Sequence, residues 1–149
     1  MTIWRPPQRI RVLVIGLVWR GGHLLAAEVL ADSGELKGFR PLGGGVEFGE
    51  RREEALIREF REELGCAIHI AGPWMMFENI FRHEGHVGHE MVFAADTRID
   101  DPTLYEREEI DFSEEDGPPL RARWVDPFAC PAGLPLYPPG LAGELAKLR

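Results

Sequence analysis

The sequence predicts an α/β sandwich with a central mixed β-sheet. Three observations point there. Short runs rich in Val, Ile and Leu recur along the chain between turns bearing glycine and proline. One long helical stretch and one short helix stand among them, a pattern that suits sheets covered by helices. The 149 residues show no internal repeat and no change of composition, so residues 1–149 read as a single domain large enough for a real core.

Taken in order, Ile10 to Trp19 reads as a buried strand. Arg20-Gly21-Gly22-His23 is a turn signal, and Leu24 to Leu30 is the returning strand of a hairpin. Asp32-Ser33-Gly34 is loop, and Phe39 to Leu42 is a short extended segment entering Gly43, Gly44 and Gly45. Beyond the long helix, Cys66 to Ala71 alternates loosely as a strand and Pro73 interrupts it. Trp74 to Arg82 and Glu90 to Asp96 read as strands joined by residues 83–89, which Gly85 and Gly88 punctuate. Asp100 to Asp116 is acidic and reads as a solvated loop with one helical turn, ended by Pro118-Pro119. Arg121 to Val125 is a last strand that places Trp124 in or beside the core. Residues 127–139 are irregular, and Leu141 to Leu148 form a C-terminal helix begun near Pro138 and Pro139.

The formal net charge of −8 argues against a nucleic-acid polymer or an anionic membrane as partner, though not against a small polyanion held through a metal. The cysteines, Cys66 and Cys130, stand far apart in no CxxC spacing, which suggests reduced thiols and a cytoplasmic protein. Val12 to Trp19 is too short to span a bilayer, and Met1 to Arg9 lacks the apolar core of a signal peptide.

The informative stretch is Gly44 to Cys66, GGVEFGERREEALIREFREELGC. On its helix Glu62 and Glu63 both neighbour Glu59, and like charges so close weaken a helix unless something neutralises them. A divalent cation is the simplest such partner, and Mg²⁺ takes carboxylate oxygens while keeping waters and substrate phosphates as further ligands. Leu56, Ile57, Phe60 and Leu64 make a separate apolar stripe, so the helix can bury one side and offer the acids to a cleft. The glycines ahead of it permit close backbone approach to a ligand. Glu50 suits the positive end of the helix dipole, Arg58 is placed to pair with it, and Gly65 provides the stop.

The stretch resembles the Nudix box, with Gly44, Glu50, Arg58, Glu59, Phe60, Glu62, Glu63, Gly65 and Cys66 at the motif positions. Every charged and glycine position matches; Phe60 and Cys66 depart mildly from the aliphatic residues usual there. The resemblance implies a Nudix-type α/β/α sandwich and a Mg²⁺- or Mn²⁺-dependent hydrolase cleaving the pyrophosphate linkage of a nucleoside diphosphate joined to another group. It implies Glu59, Glu62 and Glu63 as metal ligands, with the Gly44 carbonyl as a further one, and Glu50 and Arg58 as supports of the loop. For the general base the alternatives are a box glutamate, Glu114 or Glu115 from the loop before the last strand, or Glu90.

For the substrate, Phe77, Phe81, Trp74 and Tyr137 are candidate stacking rings, Asn79 is a candidate amide reader, and Arg5, Arg9 and Arg40 are candidate phosphate contacts. His83, His86 and His89 recur every third residue, a spacing that aligns side chains only on a helix, so a zinc site is disfavoured. Downstream residues select neither MutT-like nucleotide-pool cleaning nor ADP-ribose hydrolysis. Two other classes remain as alternatives: a nucleotide sensor of the same fold without turnover, and a protein-interaction domain docking through the acidic 100–116 loop. The intact box acids favour the enzyme. A homodimer is expected by analogy with the family alone.

Overall fold

The structure, a computed structural model, describes residues 3–114 and 117–148. Strands β1 (Ile10–Leu17), β2 (Trp19–Arg20), β3 (His23–Leu30), β4 (Leu36–Pro41) and β5 (Gly43–Gly45) precede the long helix α1 (Arg52–Leu64). Strands β6 (Ile68–His83), β7 (His86–Ile99), β8 (Glu109–Ser113) and β9 (Pro119–Val125) follow, and helix α2 (Leu141–Ala146) closes the described fold. One sheet has the order β5-β1-β7-β6 and is mixed, since β1 runs parallel to β7 while its other pairs are antiparallel. The second has the order β2-β3-β9-β8, with β4 also paired to β3, all antiparallel.

Side chains alternate across the two sheets and divide into two cores. Val14, Val18, Leu25, Ala27, Ala122 and Trp124 point to one face and pack with Leu56 and Phe60 of α1. Ile15, Leu17, Leu24, Ala26, Val92 and Ala94 point to the other and pack with Leu141 and Leu145 of α2. A helix thus covers each face, and the layers form the expected α/β/α sandwich. Among the described residues no helix is long and apolar enough to cross a membrane.

Helix α1 starts where the Glu54 carboxylate accepts the Arg51 N–H at 3.0 Å, and ends at Gly65, whose φ of 68° lies in the left-handed region. Its apolar stripe is narrower than expected, because Ile57 faces solvent.

Three connections differ from expectation. Strands β6 and β7 extend much further toward each other than residues 83–89 suggested, closing through Glu84 and Gly85 alone, both at positive φ. Local glycine signals mislead here because Gly88 lies within β7, where the Phe81 ring leaves no room for a Cβ. Pro73 does not end its strand; β6 absorbs it in a register shift between Ala71 and Met75. The acidic 100–116 segment is not all loop: it holds a 3₁₀ turn at Pro102–Glu106 and strand β8, whose Ile110 and Phe112 are buried between exposed acids. That alternation is a strand period hidden by its charge.

Candidate active site

Strand β5 has glycines where side chains cannot fit. Its Gly43 and Gly44 pair with Ile15 and Val14 of β1. A Cβ on Gly43 would overlap the Val14 carbonyl, and one on Gly44 would overlap the Glu59 carboxylate. The helix can therefore lay Glu59 directly on the backbone of the loop.

Arg58 organises the acids around it. Its Nε and Nη2 donate to the two oxygens of Glu50 at 2.8 and 3.0 Å, and Nη2 also donates to the Gly45 carbonyl at 2.9 Å. Its Nη1 donates to Glu59 at 3.0 Å and to Glu62 at 3.4 Å. The hydrogen bonds from Arg58 hold the Glu50 carboxyl below its ordinary range, as expected for a support tying loop to helix. The same contacts raise the Arg58 pKa, against burial.

Glu59 behaves differently. Burial pushes its carboxyl up, and Arg58 only partly opposes that, with Glu62 and Glu114 adding negative charge. Glu63 is pushed up to about 8, first by burial and then by Glu114, with Arg40 the one opposing charge among its main neighbours. Nearby, Arg40 and Glu114 form an ion pair of 3.0 Å that joins β4 to the segment after β8. An open groove of about 400 Å³ runs along α1 past Arg58 and Glu62.

This donor set fits a divalent cation. Glu59 and Glu62 already share one cationic nitrogen, Gly44 leaves no side chain in the way, and burial beside Glu114, Glu59 and Glu62 makes Glu63 hold a proton that a cation can displace. The box acids are not, however, the tightest group of ligand atoms. Among the described residues, Asp32, His83 and Glu84 bring theirs within 4.8 Å of one another at the β6–β7 turn. Arg5 binds Asp32 at 2.6 Å and Lys37 meets His83 Nδ1 at 2.8 Å, so cations of the chain itself occupy that corner.

The expected substrate contacts divide. Glu90 is buried beside Asn79, whose Nδ2 donates to it at 3.3 Å, and Arg11 Nη1 reaches it at 3.4 Å. Burial pushes the Glu90 carboxyl up, with Arg11 opposing. Phe81 lies against Gly88 on the same side of the sheet, whereas Phe77 packs into the α2 core. Trp74 belongs to the α1 core, and Tyr137 packs on Gly38. Arg40 faces Glu114, and Arg5 is committed to Asp32. Glu115 lies outside the described residues. His83 and His89 bind Lys37 and Glu78 respectively, and the three histidines do not converge.

Sequence reasoning missed Arg11. It stands opposite Glu90 in the parallel β1–β7 register, and only that pairing, which the local sequence does not encode, brings the two together.

Residues 7–129 match the family model described as the NUDIX domain. A nucleoside triphosphatase NudI of Klebsiella pneumoniae subsp. pneumoniae is 51% identical over 69 residues, covering 44% of this chain and 49% of its own length. The NudI of Escherichia coli O139:H28 is 43% identical over 75 residues, covering 48% and 53%. The chain thus spans about half the length of the curated relatives it matches. Among solved structures, the E. coli ORF135 protein superposes with a TM-score of 0.60 at 23% identity, over 95% of this chain and 91% of that one. A MutT NUDIX hydrolase from Burkholderia pseudomallei gives 0.56 at 22% identity, over 92% and 98%. At these identities the likeness is one of fold.

Proposed function

The chain belongs to the NUDIX domain family, and from that premise we propose that it is a Mg²⁺- or Mn²⁺-dependent hydrolase of nucleoside diphosphate derivatives. The observation that carries this reading is that Glu59 lies against the Gly44 backbone and shares Arg58 with Glu62, with Glu63 near enough for both to weigh on its carboxyl. A bound divalent cation supplies neutralisation of phosphate charge and a water acidic enough to attack phosphorus. Glu59, Glu62, Glu63 and the Gly44 carbonyl are the residues proposed to hold it.

The chain's own groups do the rest. Arg58 and Glu50 fix the loop so that the carboxylates keep their spacing. Arg40, paired to Glu114 at 3.0 Å, is positioned to exchange that partner for a substrate phosphate. Glu114 and Glu115 are the candidates for accepting the proton of the attacking water, with a box glutamate or Glu90 as the alternatives. Glu90, Asn79 and Phe81 are proposed to line the substrate side. The substrate is a small nucleotide rather than a polymer, and the proposed setting is the cytoplasm, where such nucleotides and Mg²⁺ occur together.

Because the matched relatives are named nucleoside triphosphatases, nucleoside triphosphates come first in the test, followed by ADP-ribose. The experiment is a panel of these compounds with Mg²⁺ or Mn²⁺, with product analysis to identify the bond broken. Cleavage at a pyrophosphate bond, abolished by a chelator, is the expected result. Tight nucleotide binding without turnover would instead make the protein a sensor.

A further inference from the structure

Three polar side chains form a row across the mixed sheet. Arg11 stands opposite Glu90 in the β1–β7 register, and Glu90 stands opposite Asn79 in the β7–β6 register. All three lie on the face that carries Ile15, Val92 and Phe77, away from α1. Asn79 is 3% exposed and Glu90 6%. Groups that deeply buried normally use their full hydrogen-bonding capacity.

Asn79 does not. Its Nδ2 donates to Glu90, but its carbonyl oxygen accepts nothing among the described residues. Every fully enclosed side-chain N or O there has a partner, so this oxygen keeps a small exposed surface. Among the described residues, Glu90 itself is held only by long bonds of 3.3 and 3.4 Å. A half-used amide beside a loosely held carboxylate costs stability in a fold that makes no use of it.

The rim of this row is aromatic. Phe81, two residues from Asn79, packs the end of its ring against Gly88. The Trp4 ring is near-parallel to it, 8° apart with centroids at 6.4 Å, and the Arg11 guanidinium is 5.9 Å from the Trp4 centroid. An apolar rim over a few converging polar atoms is how proteins hold a flat heterocycle. The unfilled positions are acceptors, on Asn79 Oδ1 and the Glu90 carboxylate, so a matching ring must present N–H donors.

We propose that Asn79 and Glu90 read the edge of the substrate's nucleobase and select bases bearing an exocyclic amino group. This rests on the nucleotide hydrolase reading above and adds which nucleotides the site takes. Cytosine and uracil make the sharpest comparison. The cytosine amino group carries two N–H bonds, one for each acceptor; uracil has a carbonyl there, which would face the Asn79 oxygen lone pair to lone pair, and its one N–H on this edge lies at the neighbouring ring nitrogen.

The test compares kcat/KM for CTP and UTP in the wild type, Asn79→Ala and Glu90→Gln, alongside calorimetric binding of CMP and UMP. The wild type is expected to favour cytosine by about tenfold or more, and each variant to lose most of that preference. The ratio is insensitive to the amount of folded protein, and Glu90→Gln keeps the side-chain shape should Asn79→Ala unfold. A wild type indifferent to the two bases, or variants that retain the ratio, would overturn the proposal. If nothing is hydrolysed but CMP still binds more tightly than UMP, the hydrolase reading fails while the base subsite stands. Turnover without discrimination has the opposite meaning.

Discussion

Arg58 holds both oxygens of Glu50, at 2.8 and 3.0 Å, across the loop that leads into α1. The pair is three-quarters or more buried on both sides, so it is screened less than a surface ion pair. Truncating Arg58 strands Glu50 and leaves the Gly45 carbonyl without its donor. Arg58→Ala should lower stability by about 2 kcal/mol, read by urea denaturation. Arg58→Lys should recover only part of this, because an ammonium cannot make the planar two-bond contact. Equal stability of Lys and Arg at this position would show that charge alone supports the loop.

Replacing a metal-holding acid removes charge while preserving shape. Glu62→Gln or Glu63→Gln should lower kcat on the order of 100-fold or more, since even groups that only orient ligands cost 10–100-fold. Far-ultraviolet circular dichroism should be unchanged. Ordinary rate and Michaelis constants in both variants would be incompatible with the proposed site.

Glu63 also sets a dependence of stability on pH. Its carboxyl is raised from 4.5 to about 8 in the folded chain, so the native state binds a proton that the unfolded state releases. Stability should therefore fall as pH rises from about 4.5 to 8 in chelator, and the Glu63→Gln variant should lose that contribution. Denaturation midpoints across this range measure it. A Glu63→Gln profile parallel to that of the wild type would mean that the acid is already neutralised in the metal-free fold.

Gly44 offers a separation of folding from activity. Its backbone is not in the left-handed region, so alanine brings no conformational strain, yet the added methyl displaces the Glu59 carboxylate. Gly44→Ala should cost activity about 100-fold, as a misplacement of about 1 Å can, with a modest change in melting temperature. Full activity would mean that Glu59 can work from another position.

The two candidate bases can be told apart by substitution. Glu115→Gln should slow kcat while leaving metal affinity largely intact, and Glu114→Gln should additionally lower KM by freeing Arg40 from its ion pair for the substrate phosphate. If both variants keep the wild-type rate, the proton goes to a box glutamate or to Glu90.

Much of this was legible in the sequence because it is local. The glycines, Glu50, Arg58 and the three glutamates lie within one short stretch, and helical spacing places Arg58 and the three glutamates side by side. The strands β1 and β3 announced themselves through runs of buried aliphatics. Strand β8 did not, because its solvent-facing positions are acidic and its two buried residues made a weak signal. The Arg11–Glu90 contact was out of reach for another reason: it joins residues far apart through a parallel pairing that no turn specifies. The ion pair of Arg40 with Glu114 is non-local in the same way.

Strand β1 hands its successive residues to opposite sides, Val14 to the core beneath α1 and Ile15 to the core beneath α2. Deleting or inserting one amino acid midway along it would exchange the two populations, driving buried aliphatics into the wrong layer and turning Arg11 toward the helix if the upstream half shifts. Insertions there should abolish soluble expression outright, while similar insertions at the Ser33–Gly34 bend, whose backbone is exposed, should be absorbed.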